Sequence, residues 1–260
     1  MPQRPKEHIR AVIVAAAAAR FARVGYPSTT VADVATDAGV STGNVYRYFE
    51  GKERLLDAVV PRAFASELRT RIRARIEALG AERDVRTLPP DAPYHLVSQE
   101  LLELCIENRE RVVILLGQGQ GTPFEGYAAE LASELVTWAL AYARKAWPKL
   151  RPSEELRFAL SRIYAAYVAS LADALATFAE PARIRAAVHH LSTHHLGGLR
   201  HLFEEGARHV PEHHDPDADP PTGASARTPA RRAGSRAAHS ADGSSRAPTS
   251  RRGGRARGRG

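Results

Sequence analysis

Cysteine is nearly missing from this chain: Cys105 stands alone among 260 residues. No intrachain disulfide can form, which fits a reducing compartment better than a disulfide-stapled scaffold. Redox sensing by Cys105 is not expected, because no second cysteine can resolve an oxidised thiol. Long apolar runs are missing as well, and none reaches the length of a membrane span. One stretch imitates a secretory signal, with Arg4, Lys6 and Arg10 ahead of Ala11–Ala19. That run is mostly alanine, and the helical face Ile9, Ile13, Ala16, Phe21, Val24 continues past Arg20, so a first helix is expected and export is not. A nucleophile elbow, paired catalytic carboxylates and zinc-protease spacing are also absent. Neither enzyme activity nor a cofactor is expected.

Acidic residues are scarce at the end of the chain. Residues 222–260 hold ten arginines and a single acid, Asp242, and so account for the whole net charge of +8. After Pro211 the sequence is dominated by Gly, Pro, Ser, Ala and Arg and has no aromatic residue, so disorder is expected. Such a polycation is expected to add salt-sensitive, sequence-blind affinity for DNA. Residues 1–52 carry seven Lys/Arg against four Asp/Glu, an excess that suits a phosphate-facing head.

What the chain does have is concentrated in residues 29–49, TTVADVATDAGVSTGNVYRYF. Thr30 followed by Asp33 is a capping-box-like helix start, with the acid favoured at the positive end of the helix dipole. Val31, Val34 and Ala35 have the spacing of a short helix packed on one side. Gly39 supplies a left-handed residue that stops it. Val40 buries, and Ser41 caps the next helix. On that helix Val45 and Phe49 sit four apart and face inward, leaving Thr42, Gly43, Asn44, Tyr46 and Tyr48 for the outer surface. Two helices joined by a tight turn, the second presenting small polar and aromatic residues, are what a major-groove reader requires.

Residues 9–56 resemble the N-terminal domain of TetR-family transcriptional regulators. The matching elements are Phe21, Gly25-Tyr26, Thr29-Thr30-Val31, Ala35, Ala38-Gly39-Val40-Ser41, Gly43, Val45-Tyr46, Tyr48-Phe49, Lys52 and Leu55. The resemblance implies a helix-turn-helix homodimer whose larger C-terminal domain binds a small-molecule effector and thereby loosens the grip on double-stranded DNA. Tyr46, Asn44 and Thr42 are expected to meet base edges or nearby sugars, with Gly43 letting the backbone come close. Thr30, Ser41, Tyr48 and Lys52 are expected to grip phosphates, as the resemblance implies for matching positions, and Arg47 is a further candidate. Dimerisation through helices near 153–179 and 182–206 is likewise implied, with Gly197-Gly198 permitting close approach of backbones.

Apolar spacing predicts helix 1 over about 6–24 and one long helix from Gly51-Lys52 to Leu79, kinked at Pro61, where a backbone donor is lost. That kink is either merely tolerated or a hinge between head and body. A loop over 80–93 follows, then helices near 94–108 and 110–117. Thr122-Pro123-Phe124-Glu125 has the pattern of a capped start for the next helix. Phe124, Tyr127, Leu131, Leu135, Trp138 and Tyr142 mark its inner face. Further helices are predicted over 153–179 and 182–206. No strand-like alternation competes, so the fold class is all-α: a three-helix helix-turn-helix domain (1–52), a larger helical effector-binding and dimerisation domain (53–210) and a disordered Arg-rich tail (211–260).

Three other patterns bear on chemistry. Arg111–Leu116 followed by Gly117, Gly119 and Gly121 imitates a strand feeding a nucleotide loop. Thr122 stands where the fingerprint needs glycine and no phosphate-loop Lys-Ser/Thr follows, so a link between helices is expected. His189, His190, His194, His195, His201, His209, His213 and His214 crowd the end of the body. His190, His194 and His201 share one helical face, yet few acids and no cysteine accompany them, so a pH-sensitive dimer surface is preferred to a metal site. Phe64, His95, Gln118, Trp138, Tyr142, Tyr164 and Tyr167 are candidates to line an apolar effector pocket with a few polar handles.

The sequence therefore reads as a cytoplasmic, nucleoid-associated dimeric regulator. It is expected to be a repressor released from a palindromic operator by a small hydrophobic or aromatic effector. The competing reading is a nucleoid-like architectural protein driven by the basic tail.

Overall fold

The computed structural model describes residues 3–208, and its regular elements there are all helical, with no strand among the described residues. The order is α1 (Gln3–Val24), α2 (Val31–Asp37), α3 (Thr42–Tyr48), α4 (Lys52–Val59), α5 (Arg62–Glu77), a 3₁₀ turn (Val85–Thr87), α6 (Pro93–Glu107), α7 (Arg109–Gly117), α8 (Tyr127–Ala146), α9 (Glu154–Thr177) and α10 (Pro181–Arg208). The tail expected to be disordered, with His209, His213 and His214, lies outside the described residues.

α1 buries Ile13, Ala17 and Phe21 completely, four residues apart on one face. Val24, expected on that face, is instead 42% exposed, because the helix ends there and turns away through Gly25 at φ +85°. The head packs α1 against α2 and α4, and α2 against α3. α1 also packs against α7 of the body, and the hydrophobic core is continuous from Ile13 to Phe203. No gap in packing marks the boundary expected between residues 52 and 53.

The long helix expected over 51–79 is two helices. α4 ends at Val59, Val60 is extended (φ −123°, ψ 83°), and Pro61 stands as the residue before α5. The proline ring disfavours helical geometry at the preceding residue and brings no N–H, so the chain breaks where a bend is expected. Both sides of the break remain well packed, with Val59, Val60 and Phe64 buried.

The start expected at Thr122 is also displaced. The Thr122 hydroxyl accepts from the Phe124 amide at 3.0 Å and donates to the Gly119 carbonyl at 2.6 Å, while the Glu125 carboxylate accepts from the Gly121 amide. These groups close a turn rather than a helix, and α8 begins only after Gly126, at φ +134°. Residues 109–117 are helical, with Val112 to Leu115 buried, so no strand feeds a nucleotide loop. α9 is the central rod of the body, packed on α7, α8 and α10.

Candidate nucleic-acid interface

The turn between α2 and α3 is fixed by groups three to five residues apart. The Thr30 hydroxyl accepts from the Asp33 amide (3.1 Å), and the Asp33 carboxylate accepts from the Thr30 amide (2.9 Å), closing the reciprocal capping box. Those bonds from Thr30 hold the Asp33 carboxyl below its usual range. At the other end the Val40 amide donates to the Ala35 carbonyl and the Gly39 amide to that of Thr36, with Gly39 at φ +66°. This is the Schellman arrangement, and its left-handed residue has to be one without a Cβ penalty. Ser41 caps α3 by accepting from the Asn44 amide at 3.2 Å. Arg20 of α1 reaches Asp37 at 2.8 Å and Asp33 at 3.3 Å, bracing the pair from behind.

α3 turns Val45 into the core, and Phe49 buries just beyond its end. Thr30, Ser41, Thr42, Gly43, Tyr46 and Arg47 are exposed, while Asn44 and Tyr48 are half-buried. Tyr46 is 54% exposed, unusually open for a large aromatic ring. A Cβ added at Gly43 would meet nothing within 4 Å, so this point of the helix surface is flat and open.

Lys52 differs from the other phosphate candidates. Its ammonium is half-buried, donates to the carbonyls of Tyr26 and Thr29 at 3.0 Å each, and lies 4.2 Å from the centre of the Tyr26 ring. Two of the three ammonium donors thus tie the α1–α2 turn to the start of α4, leaving one to face outward. Thr29 is itself 1% exposed and donates to the Gly25 carbonyl at 2.8 Å, which adds to the same knot.

The residues expected to line a pocket fall into two groups. Phe64 and Gln118 sit near the head: the Arg111 guanidinium lies over Phe64 while donating to the Val59 carbonyl, and the Gln118 side chain lies against Gly25. Tyr142, Tyr164 and Tyr167 belong to the interior of the body, with Trp138 half-buried on α8. Tyr164 and Tyr167 meet His195 of α10, the latter stacked at 3.9 Å between ring centres and bonded to Ser192 at 2.9 Å. His95 packs edge-on against Tyr94. Burial raises the Tyr142 hydroxyl to about 12, and its proton goes to the Glu82 carbonyl.

Arg75, Tyr94 and Ser98 were not among the sequence candidates, and His195 was expected only as one of the histidine cluster. Arg75 donates from Nε to the Ser98 hydroxyl at 2.9 Å and from its terminal nitrogen to the Tyr94 hydroxyl at 2.6 Å. A signal for it existed. Leu68, Ile72, Arg75 and Leu79 follow one helical stripe, and an arginine at an apolar position of such a stripe marks a polar interior.

Of the histidines, His189, His190, His194 and His201 are exposed and His195 is half-buried. Burial first, then the charges of Arg75 and His194, pull His195 down to about 4. Among the described residues no group of three His, Cys, Asp or Glu side chains converges as a metal site. Burial pushes the Cys105 thiol up to about 12, the behaviour of an inert structural cysteine. No helix among the described residues is long and apolar enough to cross a membrane.

Residues 13–59 match the sequence profile described as bacterial regulatory proteins, tetR family. The chain is also 32% identical over 116 residues to the HTH-type transcriptional repressor KstR2 of Rhodococcus jostii (strain RHA1), a match covering 36% of this chain and 56% of that relative. The chain thus spans little more than half the length of the relative it matches. The capped helices, the left-handed Gly39 turn and the open α3 face all fall inside the matched segment, so it is residues 13–59 that are similar to the DNA-binding region of the tetR family of bacterial regulatory proteins.

Proposed function

We propose that this protein is a homodimeric DNA-binding transcriptional repressor that reads a short palindrome with α3 and releases it when a small effector enters the body. The observation that carries the reading is the division of α3: Val45 holds the helix to the core, while Thr42, Gly43, Tyr46 and Arg47 are left in solvent. Amide, hydroxyl and aromatic groups on one exposed helix suit base edges and thymine methyls in the major groove. Thr30, Ser41, Tyr48 and the remaining Lys52 donor flank them as phosphate contacts. In this reading residues 1–52 read DNA, residues 53–210 bind effector and dimerise, and the Arg-rich remainder adds sequence-blind affinity.

Dimerisation through α9 and α10 is supported by what those helices leave uncovered. Phe158 and Ile163 of α9 are 69% and 37% exposed. Added Cβ atoms at Gly197 and Gly198 of α10 would meet nothing within 4 Å. A two-fold protein is what a palindromic site requires.

Selection of bound sequences from random duplex DNA near physiological salt tests the reading. Enrichment of one palindrome is expected for the full chain and for a chain lacking residues 215–260, with Asn44→Ala lowering discrimination by about 1–3 kcal/mol. The ten arginines of residues 222–260 favour a second reading, tail-driven architectural binding. Loss of nearly all binding on deletion of 215–260, with no enriched sequence in either form, would establish it instead.

A further inference from the structure

Arg69, Arg71, Arg73 and Arg75 stand at alternate positions of α5, and three of them have carboxylate partners. Arg69 pairs with Glu130 and Glu134 (3.3 Å each), Arg71 with Glu67 (2.9 Å) and Arg73 with Glu77 (2.8 Å). Arg75 has only neutral partners among the described residues, the hydroxyls of Ser98 and Tyr94. It is also half-buried, on the stripe that α5 turns toward the body. A guanidinium does not give up its proton, so this half-buried charge is offset only by the two hydroxyls and the Tyr94 ring, 5.1 Å away, and by no carboxylate among the described residues.

The surroundings reinforce the point. Arg75 acts electrostatically on both Tyr164 of α9 and His195 of α10, and no carboxylate among the described residues does so. His195, held neutral, adds no charge of its own but stacks on Tyr167 and stands edge-on to Tyr164. α5, α6, α9 and α10 therefore contribute one fixed cation, several hydroxyls and an aromatic wall. Two of the five guanidinium N–H groups are used by Tyr94 and Ser98, leaving the others for a planar oxyanion.

We infer that the effector of this protein is an organic anion, whose carboxylate or similar oxyanion seats on Arg75 and whose apolar part lies against Tyr164, Tyr167 and His195. The inference rests on the effector-binding reading above and narrows it from apolar molecules in general to those carrying a negative charge. A neutral apolar ligand would leave Arg75 buried deeper and still unpaired. A bare inorganic anion would make no use of the aromatic wall.

Two fluorescent probes with the same ring body test this on the full chain: anilinonaphthalenesulfonate, and neutral N-phenyl-naphthylamine, which lacks the sulfonate. The anionic dye is expected to bind at least about tenfold more tightly, the usual scale of a charge-assisted bond. Arg75→Met should abolish that preference while leaving the neutral dye unchanged, and Arg75→Lys should restore part of it. Naphthoate should displace the dye at lower concentration than naphthamide, a comparison made on the unsubstituted chain and independent of how Arg75→Met folds. Equal binding of the two dyes, binding of neither, equal potency of naphthoate and naphthamide, or displacement by millimolar inorganic phosphate alone would overturn the inference. Selection of duplex DNA on the same preparations separates it from the parent reading. A lost dye preference with an enriched palindrome removes only the anion, whereas a kept preference without sequence-selective DNA binding removes the repressor and leaves the site.

Discussion

The head and the body satisfy their polar groups in opposite ways. In the head, Thr30 bonds Asp33, Ser41 bonds the Asn44 amide, and Gly39 closes its helix with carbonyls a few residues back. In the body, Tyr127 donates to the Ala65 carbonyl, Tyr167 meets Ser192, Arg109 donates to the Leu175 carbonyl and Arg75 meets Tyr94 and Ser98. These partners are separated by 19 to 66 residues of chain. Local bonds leave a helix face free to be presented outward, which suits a rigid reader of a regular duplex. Long-range bonds bring remote side chains together inside, which suits a site shaped around one molecule. The head is not wholly local, however: Lys52 ties it together across more than twenty residues, to Tyr26 and Thr29.

That contrast can be broken at its apolar base. Phe21 is fully buried beneath the helix-turn-helix and packs on Tyr26 at 5.4 Å between ring centres. Phe21→Ala should cost about 3–5 kcal/mol in denaturant unfolding, through lost burial and the cavity left behind. Because the core runs on into α7, the loss should appear in one transition for head and body; separate transitions would show two independent units.

A pH measurement sharpens the body side. His195 is held neutral, its value pulled from 6.5 to about 4, so between those limits the unfolded chain binds the proton that the folded one refuses. Stability contributed by neutral His195 is therefore present above pH 6.5 and lost as pH falls toward 4, by up to about 3 kcal/mol. Unfolding of His195→Gln should show a shallower decline over that window. An unchanged slope would mean that His195 is more hydrated than its place between Tyr164, Tyr167 and Arg75 indicates.

The smallest effect belongs to the local side. Thr30→Ala removes one cap of α2 and should cost about 1 kcal/mol of stability. Thr30→Ser should recover most of it, since the hydroxyl alone makes the bond to the Asp33 amide. A loss of several kcal/mol would show that Thr30 holds more than its own helix.

The head was legible because its signals are short-range. The Thr30 and Asp33 pair, Gly39, Ser41 and the spacing of Val45 and Phe49 each act within one or two turns, and each stands where the spacing placed it. The body's helices were legible as apolar stripes, although Pro61 divided one and Gly126 delayed the start of another. Its interior chemistry was less so. Phe64 and Gln118 were expected beside Tyr164 and Tyr167, yet the first two lie by the head and the others face α10. Helical spacing tells which side of a helix is inward but not which helix stands opposite.

By itself the sequence determined the all-helical class, the helix-turn-helix with its outward face, and a net positive charge carried wholly by residues 222–260. Those properties depend on neighbours within a few positions or on composition alone. Only the tertiary structure decided that Lys52 is drawn into the head, that the core crosses from α1 into α7, and that Arg75 is half-buried against the body with no carboxylate among the described residues opposite it. Such facts depend on which remote segments meet, and that is settled by the packing of helix faces against one another.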